Sequence, residues 1–188
     1  SELFVDNFDV DHSIVAFLKP KREYGKKMLM VKGDIWLYLP SVRRSFRISP
    51  QQRLTGQVSN GDILSTNYRN DYTASIQSDK NRLVIEGKHY NAVMLVLKRK
   101  TKIATYERLH YWVEAKTYRP LKAEFYSRSG KMIKSAIFTD YKQALGMTRP
   151  GKMIIQDAIA KNLTSIIYFT SYLDSQLPLS DYTVSKLK

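Results

Sequence analysis

A chain of 188 residues, 43% of them hydrophobic, suits one folded domain with a real core and excludes a disordered composition. Lys and Arg outnumber Asp and Glu by 31 to 17, and the net charge of +14 implies anionic company: nucleic acid, a phospholipid or lipopolysaccharide surface, or acidic proteins. With no cysteine, a disulfide framework, a thiolate nucleophile and a Cys-built zinc site are excluded, while cytoplasm and periplasm both stay open.

The 13 Tyr, 7 Phe and 2 Trp are a load typical of strands. Short β-rich runs recur between turn signals, the pattern of a meander, sandwich or barrel. His12–Lys19 comes first and stops at Pro20. Lys26–Lys32 and Asp34–Leu39 follow, joined through Lys32-Gly33-Asp34 as a tight hairpin. Beyond Pro40 the run Ser41–Ile48 is densely basic. Ser49-Pro50 then reads as an N-cap and first helical position, and Leu54 to Asn70 shows no sustained alternation. A break of this kind inside a β domain predicts a functional loop, so Ser49–Asn70 is the candidate flap. Strands resume at Tyr72–Ser78 and Arg82–Glu86, linked by Asp79-Lys80-Asn81. Ala92–Arg99, Thr105–Ala115, Pro120–Arg128, Lys131–Lys142, Lys152–Ala158 and Asn162–Leu173 complete the set, and the tail after Pro178 predicts one short helix.

Alternate residues of a strand point to opposite sides, so each run has two faces. Val93, Leu95 and Leu97 stand against Met94, Val96 and Lys98. Leu109, Tyr111 and Val113 stand against Arg108, His110, Trp112 and Glu114. Leu121, Ala123 and Phe125 stand against Lys122, Glu124 and Arg128. One face is consistently apolar, and no long amphipathic helix is visible to cover it. The sheet must curl on itself or leave that face for a ligand.

No catalytic signature is present: no nucleophile elbow, Walker loop, dinucleotide fingerprint or metalloprotease helix. Gly56-Gln-Val-Ser59-Asn60-Gly61 has the wrong spacing for a nucleophile and reads as a turn. His12, His89 and His110 sit on separate predicted elements, so no metal is expected. The longest apolar run, Ala92–Leu97, falls far short of the roughly 20 residues that span a bilayer. Residues 1–20 lack a signal peptide's basic start and apolar stretch, so an exported form is expected to have lost its signal earlier. The basic clusters at Lys19–Lys27, Arg43–Arg53 and Lys98–Lys102 suit a solvated rim, a nucleic-acid groove or anionic headgroups. No RNP-like motif supports the nucleic-acid reading, and no nucleic acid is expected as a partner.

The run Asp34-Ile-Trp-Leu-Tyr-Leu-Pro40 continues through Ser41-Val-Arg-Arg44, Arg47-Ile-Ser-Pro50, Gln52-Arg53-Leu54 and Gly56-Gln-Val-Ser-Asn-Gly-Asp62. With Tyr111-Trp112-Val113, Thr117-Tyr-Arg-Pro-Leu121 and Ala123-Glu-Phe-Tyr126 before Ser129-Gly130, this ordered series resembles the LolA-like outer-membrane lipoprotein-sorting family. The resemblance covers nearly the whole chain. It implies an all-β fold with minor α: a strongly curved antiparallel sheet forming an unclosed half-barrel with a loop or short-helix flap. It further implies a periplasmic, non-enzymatic carrier, needing no cofactor, that binds acyl chains of lipoproteins or lipids for transfer towards the outer membrane. Members with the Trp-Leu-Tyr-Leu-Pro signature look like partners of an inner-membrane RND/MMPL-type exporter. Against the family pattern, residues 1–188 are expected to form a single domain lacking the N-terminal helix and first strand, with a homodimer covering the exposed edge. A periplasmic sensor binding peptide or lipopolysaccharide on the same fold is the alternative.

On this reading the acyl-chain lining is Leu29, Val31, Ile35, Leu37, Val93, Leu95, Leu109, Tyr111, Val113, Phe125 and Ile137. Arg43, Arg44, Arg47 and Arg53 are the candidates for headgroup or partner contacts.

Overall fold

A computed structural model describes residues 1–9, 11–49, 68–160 and 163–187. They fall into two compact units, residues 1–67 with 175–188, and residues 68–174.

The first unit is an antiparallel meander of β1 (Glu2–Asn7), β2 (His12–Lys19), β3 (Lys27–Val31), β4 (Asp34–Leu39) and β5 (Arg44–Ile48), paired in that order. Strand β1 precedes the first expected strand. The predicted β3–β4 hairpin is present, and Lys32 and Gly33 both have positive φ (48° and 84°), the primed turn whose twist matches flanking strands. One face carries a core of Val15, Met28, Met30, Ile35 and Ile48, flanked by Leu3, Phe17 and Leu37. On the other, Leu29 packs with Tyr182 and Leu187, and Ile14, Val31, Trp36, Leu177 and Val184 surround them. The tail that covers this second face forms two short 3-10 turns, Leu179–Asp181 and Val184–Leu187, where a single short helix was expected. It is pinned by the buried Asp6 carboxylate, which accepts hydrogen bonds from Ser175 Oγ (2.6 Å) and Tyr182 Oη.

The second unit is built on a seven-stranded antiparallel sheet ordered β14-β13-β10-β9-β8-β7-β6. Its strands are β6 (Tyr72–Ile85), β7 (Lys88–Arg99), β8 (Arg108–Glu114), β9 (Pro120–Tyr126), β10 (Met132–Thr139), β13 (Lys152–Asp157) and β14 (Thr164–Tyr168). A ribbon of β11 (Lys142–Ala144) and β12 (Met147–Arg149) leaves the sheet after β10. The sheet's outer strands do not pair with each other, so it is not closed into a barrel. The expected all-β, unclosed antiparallel architecture is therefore present, with its strands divided between two principal sheets.

Several expected strand ends move, among them Thr105–Ala115 to Arg108–Glu114 and Asn162–Leu173 to Thr164–Tyr168, and two changes reshape the second unit. The expected strands Tyr72–Ser78 and Arg82–Glu86 are not separate but merge, up to Ile85, into the 14-residue β6, and Glu86 belongs to the turn that follows. Both parts pair with β7, and register shifts between Ile76 and Asn81 absorb the polar residues that resembled a turn. The expected run Lys131–Lys142 ends at Thr139, because Asp140 adopts a φ of 54° and turns the chain into the ribbon.

Candidate functional site

The apolar face of the seven-stranded sheet follows from cross-strand register. Val93, Leu95 and Leu97 of β7 stand opposite Val113, Tyr111 and Leu109 of β8. Leu109 and Tyr111 stand in turn opposite Phe125 and Ala123 of β9. The face continues through Ala136 and Phe138 of β10 to Ile155 and Met153 of β13. Leu109, Phe125, Ala136 and Ile155 are buried, while Val93, Leu95, Tyr111 and Phe138 are half-buried. Aromatic rings from outside the central strands lie on it. Tyr68 meets Tyr111 at 5.7 Å and Tyr72 at 5.9 Å between centroids, and Tyr106 meets Phe125 at 4.7 Å. The Tyr106 backbone N–H donates to Tyr72 Oη (3.1 Å), which ties the loop before β8 to the start of β6.

Six predicted lining residues, Val93, Leu95, Leu109, Tyr111, Val113 and Phe125, share this face. Ile137 does not. It stands opposite Lys122 on the other face and packs with Trp112, Ile85 and Ala92. The reason is arithmetic: in β7–β8–β9 odd residues face odd residues, but β9–β10 pairs Ala123 with Ala136, so parity flips. The first unit repeats the lesson. Its two-residue turn pairs Leu29 with Trp36 and Met30 with Ile35, so Leu29 and Val31 lie on one face and Ile35 and Leu37 on the other. The expectation that these four share a face is corrected accordingly, and Leu29 and Val31 lie beneath the tail.

The basic candidates also separate. Arg44 and Arg47 occupy opposite faces of β5, and Arg47 is ion-paired with Asp34. Arg43 is exposed at the β4–β5 turn with a φ of 51°. Arg53 and flap residues 50–67 lie outside the described residues. The flap's last residues, Tyr68–Asn70, belong to a helical turn, Tyr68–Asp71, whose Tyr68 is the ring on Tyr111.

The opposite face of the sheet holds a polar-aromatic network that strand alternation had separated but not connected. Tyr126 Oη donates to Glu124 Oε2 (2.8 Å) and lies 3.2 Å from His110 Nδ1. Lys122 Nζ donates to Glu124 Oε1 (2.7 Å) and sits over the Trp112 ring, and the Arg108 guanidinium covers Tyr126. Burial alone would raise the Glu124 carboxyl, yet the hydrogen bonds from Lys122 and Tyr126 outweigh it and hold it below the usual range. Burial, then donation to Glu124, pushes Tyr126 up to about 12. His110 is depressed, first by burial and then by the Arg108 charge, with Glu124 opposing.

A depressed folded pKa contributes stability that is present above the unfolded value and lost as pH falls below it. Stability is therefore expected to decline below about pH 6.5, and His110→Gln should flatten that part of the profile. Urea unfolding on either side of that value checks this, and an unchanged slope would clear His110 of the effect.

Among the described residues no group of three or more His, Asp or Glu side chains is placed to hold a metal. A cavity of about 480 Å³ lies at the β6–β7 turn, lined by Ile85, Glu86, Lys88, His89, Tyr90, Arg119, Thr139, Asp140 and Tyr141. None of the predicted lining residues borders it. No helix among the described residues is long and apolar enough to cross a membrane.

A family model described only as an uncharacterized protein matches residues 9–188. No curated protein matches the chain. Among solved structures, a LolA superfamily protein from Nitrosomonas europaea is 32% identical, with a TM-score of 0.83 over 96% of this chain and 80% of its own. A Vibrio parahaemolyticus domain, assigned provisionally to outer membrane lipoprotein sorting, shares the fold at 22% identity, with a TM-score of 0.74 over 98% of this chain and 81% of its own. A DUF1329 family protein from Desulfovibrio piger does so at 23% identity, with a TM-score of 0.79 over 99% and 82%. An open antiparallel sheet with one continuous apolar face, shared with a relative that is 32% identical over nearly the whole chain, places this protein in the LolA superfamily.

Proposed function

We propose that the protein is a periplasmic, non-enzymatic carrier that holds acyl chains of lipids or lipoproteins against the apolar face of its seven-stranded sheet. The observation that carries this reading is the continuity of that face from β7 to β13, with Val93, Leu95, Tyr111 and Phe138 only half-buried. Membership of the LolA superfamily, and a structural neighbour named for lipoprotein sorting, support it. Each CH₂ removed from water contributes about 0.8 kcal/mol, so partial cover of one chain gives useful, reversible affinity.

In this reading residues 1–188 work as one carrier domain, exposed Arg43 and Arg44 meet headgroups or the exporter, and Arg47 does so while keeping its Asp34 partner. Of the candidates for the lining, Val93, Leu95, Leu109, Tyr111, Val113 and Phe125 stay, whereas Ile35 and Leu37 in the first unit's core, Leu29 and Val31 beneath the tail, and Ile137 on the other face fall outside it. An inner-membrane RND/MMPL-type exporter is the proposed donor, and a homodimer protects the sheet edges.

Native mass spectrometry of the purified protein, followed by lipid extraction and titration with a fluorescent fatty acid, tests the proposal. Bound lipid, or saturable probe uptake displaced by phospholipid, is the expected result. A stable complex with one protein partner and no uptake of either kind would replace the carrier with a sensor.

A further inference from the structure

Antiparallel order brings three connections of the second unit to one end of its sheet: β7 to β8, β9 to β10, and β13 to β14. Backbone hydrogen bonds tie them side by side. The Glu107 N–H donates to the Tyr126 carbonyl (3.1 Å), that of Ser127 to Lys131 (2.9 Å), and that of Ala158 to Ile133 (2.9 Å). Asp157 Oδ1 accepts from the N–H groups of Ile159 and Ala160, both at 2.8 Å, which sets the course of the third connection as it leaves β13.

This end carries charge of one sign. Lys98, Lys100, Lys102, Arg128 and Lys131 are all exposed on it. The carboxylates beside them are already engaged. Glu107 lies between Arg99 (3.5 Å) and Arg128 (3.8 Å), Asp71 accepts from Thr101 Oγ1 (2.6 Å), and Asp157 serves the backbone. Among the described residues none of the four lysines is ion-paired, so their field reaches solvent. Apolar side chains stand exposed among them: Ile103 (42%), Met132 (39%), Ile159 (84%) and Leu163 (51%). Single exposed apolar residues are ordinary on a protein surface. Four of them at one end of one sheet, interspersed with unpaired lysines, are the combination that an anionic membrane surface selects, because it offers negative charge and apolar depth together.

We infer that this end of the second unit docks on a phospholipid bilayer with anionic headgroups. Ile103, Ile159 and Leu163 enter the boundary between headgroups and acyl chains, and Lys98, Lys100, Lys102 and Lys131 lie over the phosphates. These three apolar residues belong to connections beyond the strand ends, so they meet a membrane without any strand having to move. Nucleic acid fits the same charge less well. Stacking of bases needs exposed rings, whereas Tyr106, the aromatic residue of the β7–β8 connection, is 3% exposed and lies against Phe125. The inference goes beyond acyl binding on the sheet face and uses other residues.

Flotation of the full chain with vesicles of phosphatidylcholine and phosphatidylglycerol in equal parts, against phosphatidylcholine alone, tests it. Binding to the mixed vesicles that weakens with added salt is expected, with little binding to the neutral ones. Each basic residue near an anionic surface is worth about fivefold in binding, so Lys100→Ala combined with Lys102→Ala should lower it roughly 25-fold. Ile159→Ser should lower it about tenfold, the worth of one aliphatic side chain leaving water. Because the chain has no cysteine, Ile159→Cys accepts a single environment-sensitive NBD label. Its emission should shift to the blue on mixed vesicles, while the same label at Lys116→Cys, in the β8–β9 turn at the opposite end, should not respond. Equal binding to neutral vesicles, no flotation, flotation unchanged in both the lysine and Ile159→Ser variants, or a response at residue 116 alone would overturn the proposal. So would a complex with an oligonucleotide or an acidic protein formed in place of vesicle binding. Fatty-acid uptake is expected to be unchanged in the lysine variant, so failure of the carrier reading and failure of this one are told apart.

Discussion

Leu95→Arg is expected to reduce fatty-acid probe uptake at least about a hundredfold while the protein remains folded. Leu95 lies within β7, opposite Tyr111 on one side and Ile76 on the other, and is half-buried. An acyl chain laid across this face would have to cover the new guanidinium and strip its water. Burying a charge without a partner costs several kcal/mol, more than the few CH₂ groups that contact one side chain return. In the empty protein the arginine keeps its head in solvent along a half-open surface, so the sheet itself is not forced to bury it. Val113 is a poorer choice because it is buried, and an arginine there would threaten the fold. Ile166→Arg is the matched control. Ile166 is exposed on β14 and stands opposite Ile154, on the other face of the sheet. Loss of uptake in the Ile166 variant with retention in the Leu95 variant would mean that the ligand uses the opposite face.

The second large effect concerns the tail. Tyr182→Ala is expected to destabilise the first unit by about 3–5 kcal/mol, the usual cost of deleting a buried aromatic side chain. Tyr182 is 2% exposed, lies between Leu29 and Leu187, touches the Phe8 ring at 5.7 Å between centroids, and donates to buried Asp6. Tyr182→Phe separates the two contributions. It keeps the ring and removes one donor from Asp6, which retains Ser175, so a loss of about 1–3 kcal/mol is expected. Alkaline pH gives an independent readout. Burial first, then the hydrogen bond to Asp6, pushes the Tyr182 phenol up to about 12 from its ordinary 10. A raised folded pKa contributes stability that is intact below the unfolded value and lost as pH rises through the folded one. Wild type should therefore lose more stability than Tyr182→Phe between about pH 10 and pH 12. Equal losses in urea unfolding across that window would show that the phenol is not held as the structure places it.

Much of the fold was determined by local chemistry legible in the chain. Alternation in His12–Lys19 and Asp34–Leu39 predicts the observed strands residue for residue, because successive side chains of each point to opposite sides of a pleat. Lys32-Gly33 announces its turn through the one residue type that takes a positive φ freely. The same alternation separates Leu109, Tyr111 and Val113 from His110 and Trp112, and register keeps that division across β7, β8 and β9. What one strand's pattern does not contain is the parity relation to the next strand, which depends on turn length and bulges. That is why Leu29 and Ile35, alike in sequence, end on opposite faces, and why Ile137 leaves the apolar side. Strand continuity was also a tertiary matter: Asp79-Lys80-Asn81 reads as a turn until β7 supplies a partner on both sides of it. The cavity around Thr139 had no signal in the sequence at all. Its residues come from a hairpin, the Arg119 connection and the end of β10, and only the packing of those elements makes them neighbours.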